Sequence, residues 1–293
     1  MNSVIELNNV TKSFNGFQLK DVSLSVNKGF VTGLIGGNGV GKSTIIKMIM
    51  NLLQPDRGSI SVFGLNYIKH EKEIKQRIGF VCDENMYYEN ITLRELHRII
   101  KPMYRNWDDT LFTQYAERFE LPLRKKIKTF SKGMLMKASL TMALSHHADL
   151  IVMDEPTSGL DPIFRRELLE ILQELMLNHE KTIFFSTHIT TDLDKIADYI
   201  TFIHNGQHMF TKEHHQIFEE YALVKGAVDL LDRDTKKEFL AIQTSNHGFE
   251  ALTNKKDRVH DIFGAEVLIE KPTLEDIMFY TKKGEREHAT AYS

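Results

Sequence analysis

The segment Gly36-Gly37-Asn38-Gly39-Val40-Gly41-Lys42-Ser43-Thr44 constrains this chain more than any other. It fits G-x-x-x-x-G-K-[ST], and its setting is the one the pattern requires. The apolar run 30–35 before it predicts a buried strand, and the periodic run 43–53 after it predicts a helix. The glycines, Gly36, Gly39 and Gly41 among them, let backbone N–H groups turn inward around phosphate oxygens, with Asn38 inside the same cradle. The start of the following helix adds the positive end of its dipole. Lys42 brings a point charge to the β- and γ-phosphates. Ser43, followed by Thr44, supplies a hydroxyl for Mg²⁺.

A second segment, Leu150-Ile151-Val152-Met153-Asp154-Glu155, predicts a buried strand that ends in two carboxylates. Ligands of open α/β sheets bind at that end of the strands. Asp154 suits Mg²⁺ held through its water shell. Glu155 suits orienting or deprotonating an attacking water. Taken alone, a strand ending in acids is also simply a strand reaching solvent.

Around these two segments, short apolar strands alternate with helical patterns. Strands are predicted at 30–35, 78–82, 150–153, 183–186 and 200–204, with helices at 43–53, 94–104, 108–119, 131–147, 163–178 and 190–197. Such alternation predicts an α/β fold with a mostly parallel sheet flanked by helices. Residues 84–147 interrupt the rhythm and read as an inserted helical subdomain. The first 25 or so residues, with turns at Asn8-Asn9 and Asn15-Gly16, read as an antiparallel sheet. Beyond Tyr221 the character changes. Strands at 239–244 and 265–270 and a helix at 274–283 predict a small α+β appendage, so the expected domains are 1–221 and 222–293.

Taken together, the segments resemble the ATP-binding subunits of ABC transporters. Gly36–Thr44 resembles their Walker A loop. Asp154-Glu155-Pro156-Thr157-Ser158-Gly159-Leu160-Asp161 resembles their Walker B and D-loop, and Ser186-Thr187-His188 their switch histidine. Phe130-Ser131-Lys132-Gly133-Met134, opening a helix, resembles their signature. The resemblance covers about residues 4–221, with the segments in family order. It implies the P-loop ABC-type core, ATP as substrate with Mg²⁺, and ATP hydrolysis. His188 would contact the γ-phosphate within its own subunit. Ser131 and Gly133 would contact the γ-phosphate of ATP on a second subunit, homodimeric or heterodimeric, and Asp161 would signal across that interface. A transmembrane permease subunit would complete the assembly, placing the chain at the cytoplasmic face of the cell membrane. Phe14 matches the aromatic that stacks on adenine; as a lone aromatic beside a strand it is more often a core side chain.

Three departures stand out. Lys132 and Met134 replace a usual glycine and glutamine of the signature, and Gly37 stands where proline is common. Asp83 occupies the Q-loop glutamine position, as a metal ligand or as a turn residue. These features, with Pro272-Thr273-Leu274-Glu275-Asp276-Ile277, resemble the ATPases of Gram-positive exporters for antimicrobial or amphipathic peptides, such as the phenol-soluble modulin exporter. Tyr87 and Tyr88 either cap the helical subdomain's own core or dock a helix of the membrane subunit.

Composition narrows the alternatives. Of 293 residues 42% are hydrophobic and 26% charged, which is ordinary for a globular chain. The net charge of -3 gives no pull toward nucleic acid. The single cysteine, Cys82, excludes an internal disulfide. No basic and apolar leader opens the sequence, and no apolar run nears the ~18 residues that span a bilayer. A non-transport ABC ATPase of translation or repair is the alternative reading, but one phosphate-binding loop and no sustained heptads stand against it. His146-His147 and His214-His215 are expected at solvated helix ends, since helix neighbours point about 100° apart and cannot share a metal.

Overall fold

The computed structural model describes residues 3–82, 87–177 and 179–291. The chain divides into two compact units, Met1–Thr211 and Lys212–Ser293. The division falls ahead of the expected boundary at Tyr221, so the short helix before that residue belongs to the second unit.

The first unit opens with a hairpin. Strands β1 (Ser3–Phe14) and β2 (Phe17–Asn27) pair antiparallel around the turn Asn15-Gly16, which sets Phe14 opposite Phe17. Next come β3 (Val31–Ile35) and α1 (Lys42–Ile49). Strand β4 (Arg57–Val62) returns to pair with β1, completing an antiparallel sheet of order β2-β1-β4. Helix α2 (Tyr67–Gln76) and strand β5 (Ile78–Cys82) lead to the helical subdomain. Neither β4 nor α2 is foreseen by the alternation of apolar runs. The first residues of β4 are exposed, and α2 buries only Tyr67 and Ile74.

The helical subdomain contains α3 (Leu93–Ile100), α4 (Asp109–Arg118) and α5 (Lys132–Leu144). Each start has a side-chain cap, which satisfies N–H groups that a helix cannot pair internally. Thr92 and Glu95 form a reciprocal capping box, Asp108 caps Leu111 N, and Ser131 caps Met134 N. Helix α5 lies against β5 so closely that a Cβ at Gly79 would meet Ala143 O at 2.8 Å.

Strand β6 (Leu150–Asp154), helix α6 (Pro162–Met176), strand β7 (Thr182–Thr187), helix α7 (Thr190–Ile196), and strands β8 (Tyr199–His204) and β9 (Gln207–Glu213) complete the core. The six-stranded sheet runs β5-β6-β7-β3-β8-β9, and the pairs β5–β6, β6–β7, β7–β3 and β3–β8 are parallel. Strands β3 and β7 are buried along their whole length, as expected of parallel strands covered on both faces. Register decides where the chemistry falls. Cys82 pairs with Asp154, Asp154 with Ser186, and Ile35 with Thr187, so four strands end level at one edge.

The second unit holds α8 (His214–Glu220), β10 (Ala222–Gly226), β11 (Ala241–Ser245), β12 (Gly248–Thr253), α9 (Lys256–Phe263), β13 (Leu268–Glu270) and α10 (Leu274–Ala291). Its sheet, β11-β12-β10-β13, is antiparallel at every pair. Val224, Phe249, Ala251, Val259 and Phe263 form its core.

The histidine expectation is corrected at one position. His147 is exposed and pairs with Asp108, and His215 is exposed at the start of α8. His146 is 2% exposed and stacks on Tyr104, with ring centroids 3.9 Å apart. The helix ends three residues earlier than the pattern implies, at Leu144, and the turn that follows carries His146 inward. The tyrosine pair divides as well. Tyr87 is partly buried and lines a cavity, whereas Tyr88 is 75% exposed.

Candidate functional site

Gly41 precedes α1 with φ 107°, a left-handed conformation that favours glycine. A Cβ there would meet Leu19 Cδ2 at 2.6 Å. At Gly36 a Cβ would meet Ile203 O at 2.4 Å. The loop therefore needs glycine at these positions for backbone shape and for close packing. It delivers Lys42 to a buried place, where Nζ donates to Gly36 O at 2.9 Å and Gly37 O at 3.2 Å. The same ammonium lies 3.3 Å from Glu155 Oε1.

Glu155 follows β6 with φ 50°, which is uncommon for a residue with a side chain and marks functional sites disproportionately. Its N–H donates to Ser186 Oγ at 3.0 Å. Ser186 Oγ in turn donates to Asp154 Oδ1 at 2.6 Å. One hydroxyl thus ties the two acids to the end of β7, and the Asp154–Ser186 register puts it there. The turn aims the Glu155 carboxylate outward, where Oε2 meets His188 Nδ1 at 2.6 Å and accepts from His188 N at 3.2 Å. A carboxylate held between an ammonium and an imidazole is compensated on both oxygens, which a mostly buried anion requires.

These groups share one cavity of about 620 Å³, with Phe14, Asn38, Gly39, Gly41, Lys42, Ser43, Thr44, Glu155 and His188 on its walls. Phe14 is 46% exposed and stacks near Phe17, so it is a wall residue and not a core side chain. Asp154 stands one residue behind Glu155 and outside the lining, as does Gly36. Ser131 and Gly133 lie outside it too, at the start of α5. Asp83 falls outside the described residues.

Several contacts were not anticipated. Ser186, Phe17 and Ser158 join the site. Ser186 had a readable signal in its position before Thr187-His188, but its bond to Asp154 depends on strand register. Asp161 caps α6, its Oδ1 accepting from Ile163 N and Phe164 N at 3.0 Å each. Asp-Pro before a helical pattern is the local signal for that role. Lys132 lies along the loop before α6, its Nζ 3.1 Å from where a Cβ at Gly159 would sit.

The arrangement offers a phosphate cradle, a buried cation, and a carboxylate–imidazole pair facing one space. Comparison with known proteins agrees with that chemistry. The model of the ABC transporter family matches residues 19–158. The ABC transporter ATP-binding protein YtrB of Bacillus subtilis is 31% identical over 227 residues, covering 77% of each chain. The bacitracin transport ATP-binding protein BcrA of Bacillus licheniformis is 33% identical over 212 residues, covering 71% of this chain and 69% of BcrA. A solved ATP-binding subunit of an ABC transporter superposes with a TM-score of 0.68 at 28% identity, covering 74% of this chain and 92% of that one. With the phosphate loop, the paired acids and the histidine gathered on one sheet edge, the chain belongs to the ABC transporter family as an ATP-binding, ATP-hydrolysing subunit.

Proposed function

We propose that this chain is the motor of an exporter. It binds ATP with Mg²⁺, closes against a second ATP-binding subunit, and drives a separate membrane-spanning partner from the cytoplasmic face of the cell membrane. The observation that carries this reading is the Lys42–Glu155–His188 cluster on the wall of a cavity that Ser131 and Gly133 do not line. A site with cation, base and histidine in place, and its remaining phosphate ligands elsewhere, is completed by a second subunit facing it head to tail. An identical or a related subunit serves equally.

In this reading Phe14 stacks on the adenine. Gly36, Asn38, Gly39, Gly41 and Thr44 shape the phosphate cradle. Lys42 exchanges its carbonyl partners for phosphate oxygens, which frees Glu155 to orient or deprotonate water. His188 holds the γ-phosphate, and Ser131 and Gly133 hold that of the opposite nucleotide. Asp161, the cap of α6, relays closure between subunits. Mg²⁺ suits the donor set, because the Ser43 hydroxyl and the Asp154 carboxylate are hard oxygen ligands. Among the described residues no cluster of three or more His, Cys, Asp or Glu forms a metal cage. That fits an ion shared among few side chains, waters and phosphates. When bound, it offsets phosphate charge; the chain's own residues position the nucleotide and the water. Asp83 is assigned a metal-sensing role by its place after β5.

No described helix is long and apolar enough to cross a membrane, which is consistent with a partner supplying that part. Docking is assigned to the face around α3, α5 and the exposed Tyr88. The cargo is assigned to amphipathic peptides or antimicrobial compounds, in keeping with the bacitracin-transport relative.

The test is purification of tagged Glu155→Gln from membranes in ATP and Mg²⁺. Hydrolysis falls on the order of 100-fold or more, as for loss of a general base. A two-subunit closed complex then co-purifies with an integral membrane protein. A closed dimer with no membrane protein would instead favour a non-transport ATPase, and a monomer throughout would sink the shared-site reading.

A further inference from the structure

Helix α7 begins two residues after His188, and nothing local fixes its position. It has seven residues and no side-chain cap on its first N–H groups, and helices this short are marginal on their own. A guanidinium from another helix anchors it. Arg165 Nε donates to Asp192 Oδ1 at 2.7 Å. Its Nη2 lies 2.7 Å from the same oxygen and donates to Thr191 Oγ1 at 3.1 Å. Asp192 is 0% exposed, and its Oδ2 has no hydrogen-bond partner among the described residues.

Stability does not account for such a pair. Taking a carboxylate out of water is costly, and an apolar pair of similar volume often serves a fold as well. The helix also has other anchors. Leu193 packs so closely that a Cβ at Gly33 would meet its Cδ2 at 2.2 Å, and Gln173 Nε2 donates to Lys195 O at 3.0 Å. What the ion pair adds is direction. A planar guanidinium using two of its nitrogens fixes Asp192 and Thr191 together, which a lysine ammonium cannot reproduce.

The two helices it joins are the ones that follow the two halves of the site. Asp192 N donates to Ile189 O at 3.2 Å and Ile189 N donates to Thr187 Oγ1 at 2.9 Å, so the turn that carries His188 is closed on both sides. Arg165 sits in the first turn of α6, its N–H on Asp161 O at 2.9 Å, and the loop before Asp161 starts at Glu155. The contacts form a ring. Glu155 leads along the chain to Arg165, Arg165 holds Asp192, and Asp192 sets the turn of His188. His188 Nδ1 then returns to Glu155 Oε2 at 2.6 Å. Opening the ring at its buried link leaves α7 docked through Leu193 and Gln173 and lets His188 move away from Glu155.

We infer that Arg165 and Asp192 are positioning residues for ATP hydrolysis, which hold His188 against Glu155 and fix the histidine to the start of α6. This rests on the reading of His188 as a γ-phosphate contact and deepens it by naming what aims that side chain.

The experiment uses the full-length chain and two variants: Arg165→Lys, and Arg165→Leu combined with Asp192→Leu, which removes both charges at once. In the leucine variant kcat for ATP hydrolysis should fall about 10- to 100-fold, the cost of a side chain misplaced by about 1 Å. KM for ATP should stay within about twofold of native. Arg165→Lys, which keeps the charge and loses the fork, should lower kcat at least about threefold. In the nucleotide-free chain the imidazole NMR signals of His188, assigned by their loss in His188→Ala, should shift in both variants. Thermal unfolding of the leucine variant should stay near native, because no charge is left buried and unpaired. Native kcat in the leucine variant would mean a packing contact and overturn the inference. Unmoved His188 signals in both variants, or a KM raised as far as kcat falls, would overturn it as well. Should the leucine variant not fold, Arg165→Lys decides by the same kcat and NMR readouts. If His188→Ala hydrolyses ATP at the native rate, the reading of the histidine itself fails; the NMR comparison does not depend on activity and tells the two failures apart.

Discussion

The two cavities of the first unit treat polar groups in opposite ways. In the nucleotide cavity the ionisable groups on the wall satisfy one another: Lys42 and His188 hold the two oxygens of Glu155, and Ser186 ties Glu155 to Asp154. In the α3–α5 cavity no charged side chain lines the wall among the described residues, and the buried imidazole of His146 stacks on Tyr104. Charges near phosphate must be kept compensated until a polyanion arrives, because an isolated buried charge costs far more than an isolated neutral group. A neutral ring costs less to bury than a charge, so it can be packed against an aromatic face without a charged partner. The contrast separates a cavity walled by mutually compensated charges from one walled by apolar and aromatic packing.

The comparison breaks most visibly at Lys42. Lys42→Ala leaves the Glu155 carboxylate facing only His188 and removes the phosphate-reaching cation. ATP hydrolysis, measured by phosphate release, should fall on the order of 100-fold or more.

Acid titration sharpens the contrast next. Burial lowers the pKa of His146 from 6.5 to about 4, so the unfolded chain binds a proton there that the folded chain refuses. Stability from this group is intact above pH 6.5 or so and declines as pH falls toward 4. Denaturant midpoints between those values should drop for the native chain and drop less for His146→Phe. An unchanged acid slope in the variant would show that the ring does not carry this dependence.

The smallest effect concerns the loop that joins the nucleotide cavity to α6. Asp161→Ala removes the cap on Ile163 N and Phe164 N and should cost about 1 kcal/mol in urea unfolding. Asp161→Asn, which can still cap, should recover most of it. A hydrolysis defect in Asp161→Asn at restored stability would assign Asp161 a task beyond the cap.

Much of the nucleotide site was legible because its parts are local. The glycine loop declares a strand-to-helix turn within nine residues, and the run 150–155 declares a strand ending in acids. Helix starts at Thr92, Asp108, Ser131 and Asp161 were likewise written in capping residues. Strand β4 was not, because half its length is exposed and lacks an apolar run, and its place is set by pairing with β1. The burial of His146 was not legible either. A pair of histidines near a helix end gives no hint of which ring turns inward against Tyr104.

By itself, then, the sequence determined that this chain binds phosphate at a glycine loop, carries an acid pair at a strand end, and has a histidine after another strand. Only the tertiary structure decided that these groups meet. The level ends of β3, β5, β6 and β7 put Asp154 beside Ser186 and Glu155 between Lys42 and His188. The physical reason is that strand register is a long-range property, fixed by packing across the whole sheet. A one-residue slip would leave every segment intact and scatter the site.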